Sequence, residues 1–219
     1  EGRNFFIFNI IARAAQETML TRKTVIEIFE RISDDRKKLI FKNPEGFASA
    51  FIFSIKEVLA DHVASNIEYF LLDEFEKYDF AKIFPPEELH PQHELTKGSS
   101  ASLYYIVQYE SDVERQFLQN CLNIDKKVVC YFKFPDSFKI KLPKIIQNYV
   151  PDWGIIRQAE NGDYSLELVR ETKATVNQNL LQYTNEKRKI WCAQKHFDRI
   201  GVGYRDIAPP FTAWWQPAT

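Results

Sequence analysis

The chain has 219 residues, of which 45% are hydrophobic, and its formal net charge at pH 7 is −1. This apolar content is sufficient for a packed core and excludes a disordered chain. No apolar run reaches the roughly 20 residues that a membrane-spanning helix needs. The near-neutral charge indicates no overall basic field for nucleic acid, although acidic catalytic residues can offset a local basic face.

The chain begins with the residues EGRN, which include no methionine and lack the basic and then apolar order of a signal peptide. We therefore interpret it as part of a longer protein or as a processed one. The three cysteines, Cys121, Cys130 and Cys192, show no CxxC spacing. We expect reduced core thiols and a cytoplasmic protein.

Residues 4–72 have the apolar periodicity of helices. A first stripe at helical spacing consists of Val25, Ile26, Phe29 and Ile32. Thr21 is the predicted cap of that helix. The pair Asn43-Pro44 predicts the start of the next helix, because Asn is a good cap and Pro fits the first turn. Its apolar residues recur every fourth position, at Phe47, Phe51, Ile55 and Leu59.

Residues 79–100 are rich in proline, glycine and serine and contain few periodic apolar residues, which is typical of a linker. We therefore predict a helical adaptor over residues 1–80, a linker over 81–100 and a second domain over 101–219. The linker holds His90 and His93, whose spacing allows metal binding. Without further ligands at suitable spacing, however, we interpret the pair as part of a loop.

The second domain mixes helical and strand patterns. Its predicted elements are a helix over Ser111–Leu122, a strand over Val128–Phe134, two apolar runs over Tyr149–Ile156 and Tyr164–Val169, a helix over Gln178–Phe197 and a strand over Ile200–Tyr204. This order predicts an α/β domain with a mixed central sheet flanked by helices. No glycine-rich phosphate-binding loop is present.

Asn161-Gly162 separates the two apolar runs and is the strongest short-range signal for a β-hairpin. If these two residues form the turn, Asp152 lies directly opposite Glu171, with Cβ atoms about 4.5–5.5 Å apart. Two opposed carboxylates destabilise a hairpin unless a cation lies between them. A longer turn would change this register, so the pairing depends on the turn.

Side chains alternate along a strand, so Glu171 and Lys173 are predicted to share a face and Thr172 to point the other way. We accordingly expect Thr172→Val to leave the activity close to normal. Two carboxylates suit Mg²⁺, which is held by one or two protein carboxylates and several waters. Lys173 would stabilise charge during attack on a phosphorus or help to deprotonate the attacking water. The alternative is a surface hairpin with solvated charges.

The combination of Pro151-Asp152, a hairpin and Glu171-Thr172-Lys173 resembles the PD-(D/E)xK nuclease superfamily. The resemblance implies a restriction-endonuclease-like core, preceded here by an all-helical region. It also implies that Asp152, Glu171 and Lys173 are catalytic and that Asp152 and Glu171 bind the metal. Glu114, within "SDVERQF", matches the upstream glutamate that often supports the metal in these enzymes.

A narrower resemblance extends over most of the chain. The segments "VPDW", "VRETK", "EKRKIWCAQKHF", "TRKTVIEIFERI" and "FKNPEGF" resemble the restriction (Res) subunit of type III restriction-modification enzymes. The resemblance implies a type III site-specific deoxyribonuclease that cleaves double-stranded DNA with Mg²⁺, together with a modification methyltransferase (Mod) subunit. No Walker motifs are present, so ATP would serve only a helicase-like motor region outside this sequence.

Basic residues near the predicted site provide candidate phosphate contacts. We predict Lys187, Arg188 and Lys189 as DNA-binding residues, which position DNA but do not read its bases. Trp153 and His196 are expected to pack in the protein rather than act on DNA. The competing hypothesis is a non-catalytic nuclease-fold module that docks DNA or the methyltransferase subunit.

Overall fold

The computed structural model describes residues 2–72, 80–84, 94–162, 165–175 and 184–216. Two compact units divide the chain, residues 1–65 and residues 66–219. The predicted metal-binding pair His90 and His93 lies outside the described residues. None of the described helices is long and apolar enough to cross a membrane.

The first unit is helical. Its elements are α1 (Gly2–Thr18), α2 (Arg22–Glu30), α3 (Asp34–Lys37), a 3₁₀ turn (Lys38–Phe41) and α4 (Pro44–Asn66). Both predicted caps are confirmed. The Thr24 backbone N–H donates to Thr21 Oγ1 at 3.1 Å, and the Gly46 N–H donates to Asn43 Oδ1 at 2.9 Å. The helical pattern predicted over residues 4–72 ends at Asn66.

Aromatic and aliphatic side chains form the interior of this helical unit. Val25, Phe29 and Phe51 are buried there, and the Phe29 ring meets the Phe51 ring edge-on at 5.9 Å. Ile26 was predicted in the same stripe but is 42% exposed. Ile28 packs against the core instead. The buried face of this short helix is therefore narrower than the predicted stripe.

The second unit contains the predicted sheet and its helices. Its helices are α5 (Phe80–Ile83), α6 (Asp112–Phe117), which continues as a π turn (Leu118–Leu122), and α7 (Thr184–Arg199). Its strands are β1 (Glu94–Lys97), β2 (Ile106–Tyr109), β3 (Val128–Lys133), β4 (Trp153–Gln158), β5 (Ser165–Thr172) and β6 (Gly203–Ile207). The range predicted as a linker, residues 81–100, thus includes β1.

The main sheet has the strand order β3-β4-β5-β6, and β1 and β2 form a separate antiparallel pair. β3, β4 and β5 are antiparallel neighbours, whereas β6 runs parallel to β5. The sheet is therefore mixed, as predicted. The last strand begins later than predicted, because Gly201 with φ of 76° ends α7. There Val202 N–H donates to Phe197 C=O and Gly201 N–H to Asp198 C=O.

The register of the β4–β5 hairpin agrees with the prediction. Trp153 pairs with Arg170 and Gln158 with Ser165, and one step beyond this ladder Asp152 comes opposite Glu171. The turn itself differs from a two-residue loop. It is closed by Gly162 N–H donating to Ala159 C=O at 3.0 Å, and Gly162 has φ of 80°.

Both faces of the sheet are covered. On one face Trp153, fully buried as expected, packs against Phe117 of α6 and Tyr131 of β3. On the other face Phe197 of α7 stacks on Tyr204 of β6 with centroids 5.5 Å apart. The cysteines are free, with Cys121 and Cys192 buried and Cys130 partly buried. The predicted core position is therefore confirmed for Cys121 and Cys192, whereas Cys130 is only partly buried.

Candidate active site

The carboxylates predicted from the sequence meet at the open end of the β4–β5 hairpin. Asp152 lies immediately before β4, Glu171 lies near the end of β5, and Lys173 follows that strand. Lys173 N–H donates to Ile207 C=O at 2.8 Å, which continues the contact with β6 beyond the strand end. The backbone of all three positions is thus held by the sheet.

Glu171 is 5% exposed, and both of its oxygens have partners. Oε2 accepts a hydrogen bond from the Tyr149 hydroxyl. Oε1 lies 3.0 Å from Lys173 Nζ. Lys173 Nζ also lies 3.3 Å from Oε1 of Glu186, at the start of α7. The predicted pair of Glu171 and Lys173 is therefore in direct contact, and Glu186 completes an ion triplet.

Asp152 is held by Thr172. Its Oδ2 accepts two hydrogen bonds from that residue, one from the backbone N–H at 2.7 Å and one from the hydroxyl. Thr172 is 8% exposed. Thr172→Val was expected to be harmless because Thr172 was predicted to point away from the site. That premise is wrong. Rather than pointing away from the site, the Thr172 hydroxyl contacts the Asp152 carboxylate.

Burial acts on both acids, and repulsion by neighbouring carboxylates acts on Asp152. Burial raises the pKa of Asp152 well above its ordinary value, and Glu171 and Glu114 raise it further, against the two bonds from Thr172. Burial also raises the pKa of Glu171, against the bonds from Lys173 and Tyr149. A buried and a partly buried carboxylate, both with raised pKa values, form a site that a cation would stabilise.

Lys173 keeps its proton in this environment. Burial by itself would lower its pKa, but Glu171, Asp152 and Glu186 outweigh burial and raise the pKa above its ordinary value. The ammonium form is therefore the relevant one at neutral pH. Of the two roles considered from the sequence, this favours charge stabilisation over deprotonation of water.

Two tyrosines extend the network away from the strand ends. The Tyr149 hydroxyl lies 3.0 Å from the Tyr204 hydroxyl, and both residues are buried. Burial and the nearby Glu171 raise the pKa of each phenol well above its ordinary value. Both phenols stay neutral at neutral pH, so Tyr149 can donate to Glu171.

Glu114 is buried, but it serves other partners. Its Oε2 pairs with Lys133 Nζ, and Oε1 accepts from the Ser111 hydroxyl at 3.3 Å. Ser111 in turn caps α6 by accepting from Glu114 N–H. In the ranges that the structure describes, no three His, Cys, Asp or Glu side chains lie close enough to form a metal-binding cluster. Glu114 is therefore not brought into one ligand group with Asp152 and Glu171.

The three basic residues predicted to bind DNA have different surroundings. Lys187 lies over the Trp191 ring, with Nζ 4.7 Å from its centroid. Lys189 lines a pocket of about 180 Å³ together with Tyr149, Glu171, Lys173 and Glu186. Arg188 is only 2% exposed. A phosphate contact by Arg188 is inconsistent with this burial, whereas Lys189 lines the same pocket as Glu171.

His196 takes no part in the site. It is half-buried, and its ring meets Tyr69 and Phe197 edge-on, each at 5.1 Å. Burial lowers its pKa. This agrees with the expectation of a packed histidine and leaves it no acid–base role among the residues described above.

Four site residues were not found from the sequence: Tyr149, Thr172, Glu186 and Lys133. Each joins the site through a contact over 13 or more positions of chain. One signal was present, however. The spacing Ser111-x-x-Glu114 is that of a capping box, which favours a structural use for Glu114.

Comparison with protein families shows the family to which the chain belongs. A family model described as "Endonuclease domain" matches residues 100–209, half of the chain, and the chain belongs to that family. The match contains the hairpin, both carboxylates, Lys173 and α7. Neither the curated proteins nor the solved structures gave a match.

Proposed function

We propose that this protein is a Mg²⁺-dependent endonuclease of the PD-(D/E)xK type, which hydrolyses phosphodiester bonds of double-stranded DNA as part of a type III restriction enzyme in the cytoplasm. The family supports the nuclease class. The narrower type III assignment rests on the sequence segments that resemble the Res subunit. We assign the nuclease to residues 101–219 and an adaptor role to residues 1–80.

The observation that carries the proposal is the meeting of the partly buried Asp152 and the buried Glu171 at adjoining strand ends, with the Lys173 ammonium in contact with Glu171. Burying like charges is costly unless a cation compensates them. Their oxygens are the hard ligands that Mg²⁺ takes in small numbers while it keeps waters. The donor set of this site therefore fits Mg²⁺, with Asp152 and Glu171 as ligands.

When bound, Mg²⁺ would activate the attacking water and offset negative charge on the phosphate. The chain's own residues act around it. Lys173 remains charged and, from beside Glu171, stabilises the negative charge that builds up as the phosphorus is attacked. Glu186 holds the same ammonium from the other side. Glu114 would become a third ligand only by releasing Lys133.

DNA would be held through its backbone. Lys189 lines the same pocket as Glu171 and Lys187 lies on the same helix, so both suit phosphate contacts that position a duplex without reading bases. Site choice would then belong to the Mod subunit and movement on DNA to an ATP-dependent motor in the same parent chain. Neither activity is assigned to the residues described here.

The proposal is tested by titrating the chain with Mg²⁺ or Mn²⁺ in a calorimeter. We expect saturable binding that Asp152→Ala abolishes, while Lys195→Ala, on the far part of α7, binds as the parent does. DNA cleavage by the complete enzyme should be lost in Asp152→Ala. If the folded parent shows no saturable metal binding, the alternative of a non-catalytic docking module is favoured.

A further inference from the structure

Thr172 occupies the position between the two residues that the sequence singles out, and it has no assigned role. Its backbone N–H and its hydroxyl both donate to the same oxygen of Asp152, Oδ2. Thr172 is 8% exposed, and its backbone pairs with Ile207 of β6. The two donors therefore come from a position that the sheet fixes.

The geometry of Thr172 restricts the Asp152 carboxylate in two ways. A threonine side chain is stiff at χ1, so its hydroxyl has few directions available. Two donors on one oxygen also fix the rotation of the carboxylate about its own axis, because both bonds must be kept at once. With Oδ2 engaged by Thr172, Oδ1 is the oxygen that can face a ligand.

We propose that Thr172 is a positioning residue that clamps Oδ2 of Asp152 and thereby presents Oδ1 to the divalent cation. The inference rests on the proposed function and deepens it, since it names the residue that orients one of the two metal-binding carboxylates. Partners that orient a metal ligand typically contribute 10–100-fold to affinity or activity. The hydroxyl is the part of this clamp that a substitution can remove.

A purely structural role would have a different signature. If the hydroxyl only satisfied a partly buried carboxylate, its removal would lower stability and leave the metal affinity of the folded protein unchanged. If it orients Asp152, the folded protein should bind metal more weakly. Metal affinity, measured separately from stability, therefore distinguishes the two roles.

The experiment measures the Mn²⁺ affinity of the 219-residue chain by calorimetry, with circular dichroism as the check on folding. Thr172→Val keeps the shape and loses the hydroxyl, and we expect its affinity to fall about 10–100-fold. Thr172→Ser keeps the hydroxyl and should stay within about threefold of the parent. Thr172→Ala repeats the loss of the hydroxyl in case the valine does not fold.

A matched control is available in the helical unit. Thr18 is 3% exposed, and its hydroxyl donates to Ala14 C=O at 2.6 Å. Thr18→Val removes the same group from an equally buried position and should leave Mn²⁺ affinity unchanged. In the complete enzyme, Thr172→Val should raise the Mg²⁺ concentration for half-maximal cleavage and largely recover at saturating Mg²⁺, with DNA affinity unchanged.

Two failures are distinguishable. If the parent binds Mn²⁺ and folded Thr172→Val or Thr172→Ala binds it equally well, the positioning role is overturned and the proposed function stands. A serine variant as weak as the valine variant would also overturn it, because the hydroxyl would not be the cause. If the folded parent itself binds no Mn²⁺, the proposed function fails, and the inference fails with it.

Discussion

The interiors of the two units differ in what they bury. Among the described residues of the helical unit, the buried polar side chain is Thr18, within an otherwise apolar core. Among the described residues of the second unit, the buried polar and charged ones are Glu114, Arg157, Arg170, Glu171, Thr172 and Arg188. Apolar packing alone explains the stability of the helical unit's core. The interior of the second unit needs a further reason, because buried charges are costly.

Not every buried charge in the second unit marks function. Arg157 is paired with Asp125 at 2.8 Å and Glu160 at 2.8 Å. Arg170 donates to backbone carbonyls, among them those of Trp214 and Gly203. These arginines link separate segments of the chain through their N–H donors. Arg170 also has a like charge beside it, Arg205, but it is an arginine and cannot bind a metal cation, whereas Asp152 and Glu171 are acids with raised pKa values that can.

Burial alone therefore does not separate structural charges from candidate catalytic ones. The structural arginines end in opposite charges or carbonyl oxygens. Asp152 is repelled by Glu171 and Glu114, and the bonds from Thr172 offset this repulsion only in part. A variant that changes this balance should affect metal binding and cleavage, whereas a variant elsewhere should affect stability alone.

The largest effect is expected from Lys173→Ala. The ammonium is held by Glu171 and Glu186, and removing one such preorganised contact typically costs about 2.7–4 kcal/mol of barrier, or about 10²–10³ in rate. Single-turnover cleavage at saturating Mg²⁺ by the complete enzyme measures this loss. Binding of DNA and Mg²⁺ should stay nearly normal, and so should any ATP hydrolysis. A variant that cuts as fast as the parent, while Asp152→Ala is inactive, would show that Lys173 is not catalytic.

A smaller effect is expected from Tyr149→Phe, which removes the phenol that donates to Glu171. Loss of a bond that orients a metal ligand typically costs 10–100-fold in affinity or activity. Calorimetry with Mn²⁺ measures it. Tyr204→Phe is the matched control, since the Tyr204 hydroxyl contacts Tyr149 at 3.0 Å. Its effect should be smaller, and the reverse order would contradict the assignment of Tyr149 as the direct partner.

Much of this arrangement follows from local sequence rules. The Asn161-Gly162 signal and the alternation of apolar residues predict the hairpin register, and the structure agrees even though the turn is built differently. The register survives because Trp153 must face the core and a one-residue slip would expose it. Cap residues such as Thr21 and Asn43 act over three positions, so they are visible in sequence.

What could not be predicted depends on contacts between distant residues. β1 is a four-residue strand with mostly exposed side chains, so it has little apolar pattern to detect. Arg188 lies in a run of basic residues that is typical of a solvated surface, and only the tertiary packing buries it. Glu114 is paired with Lys133, nineteen positions away. No local spacing predicts that pair.

The effect of pH on stability tests the repulsion at the site. The pKa of Asp152 is raised well above its ordinary value in the folded protein. A carboxyl of this kind binds its proton more tightly in the folded state, so folding loses stability as pH rises from about 4 through the raised pKa. Asp152→Asn removes the charge and keeps an oxygen for the bonds from Thr172. Without metal, it should gain stability relative to the parent as pH rises from about 4 to about 8.

Urea unfolding in the presence of a chelator measures this gain at several pH values. The two proteins should be closest below about pH 4, where the carboxyl is mostly protonated in both states. Mg²⁺ should then stabilise the parent and leave Asp152→Asn unchanged, because a ligand that binds only the folded state adds to its stability. A stability difference that does not vary with pH would contradict the repulsion described here.

The smallest effect is expected on the surface of the helical unit. Glu17 lies 2.9 Å from Arg13 Nε and 2.7 Å from Lys56 Nζ, and its side chain is 35% exposed. The two cations lower the pKa of Glu17. Exposed ion pairs of this kind often contribute nothing measurable, because water screens them and ordering long side chains costs entropy. Glu17→Gln should leave the thermal unfolding midpoint unchanged within error.

Glu114→Gln is the buried counterpart of Glu17→Gln. Glu114 also binds a lysine and further donors, but it is 7% exposed, and its loss of charge leaves Lys133 with Glu110 at 3.4 Å. A buried group that loses its partner costs about 1–3 kcal/mol. Glu114→Gln should therefore lower the midpoint measurably, and 1 M NaCl should not abolish the difference, since salt screens buried pairs weakly. Equal effects at Glu17 and Glu114 would mean that burial does not set the strength of these pairs.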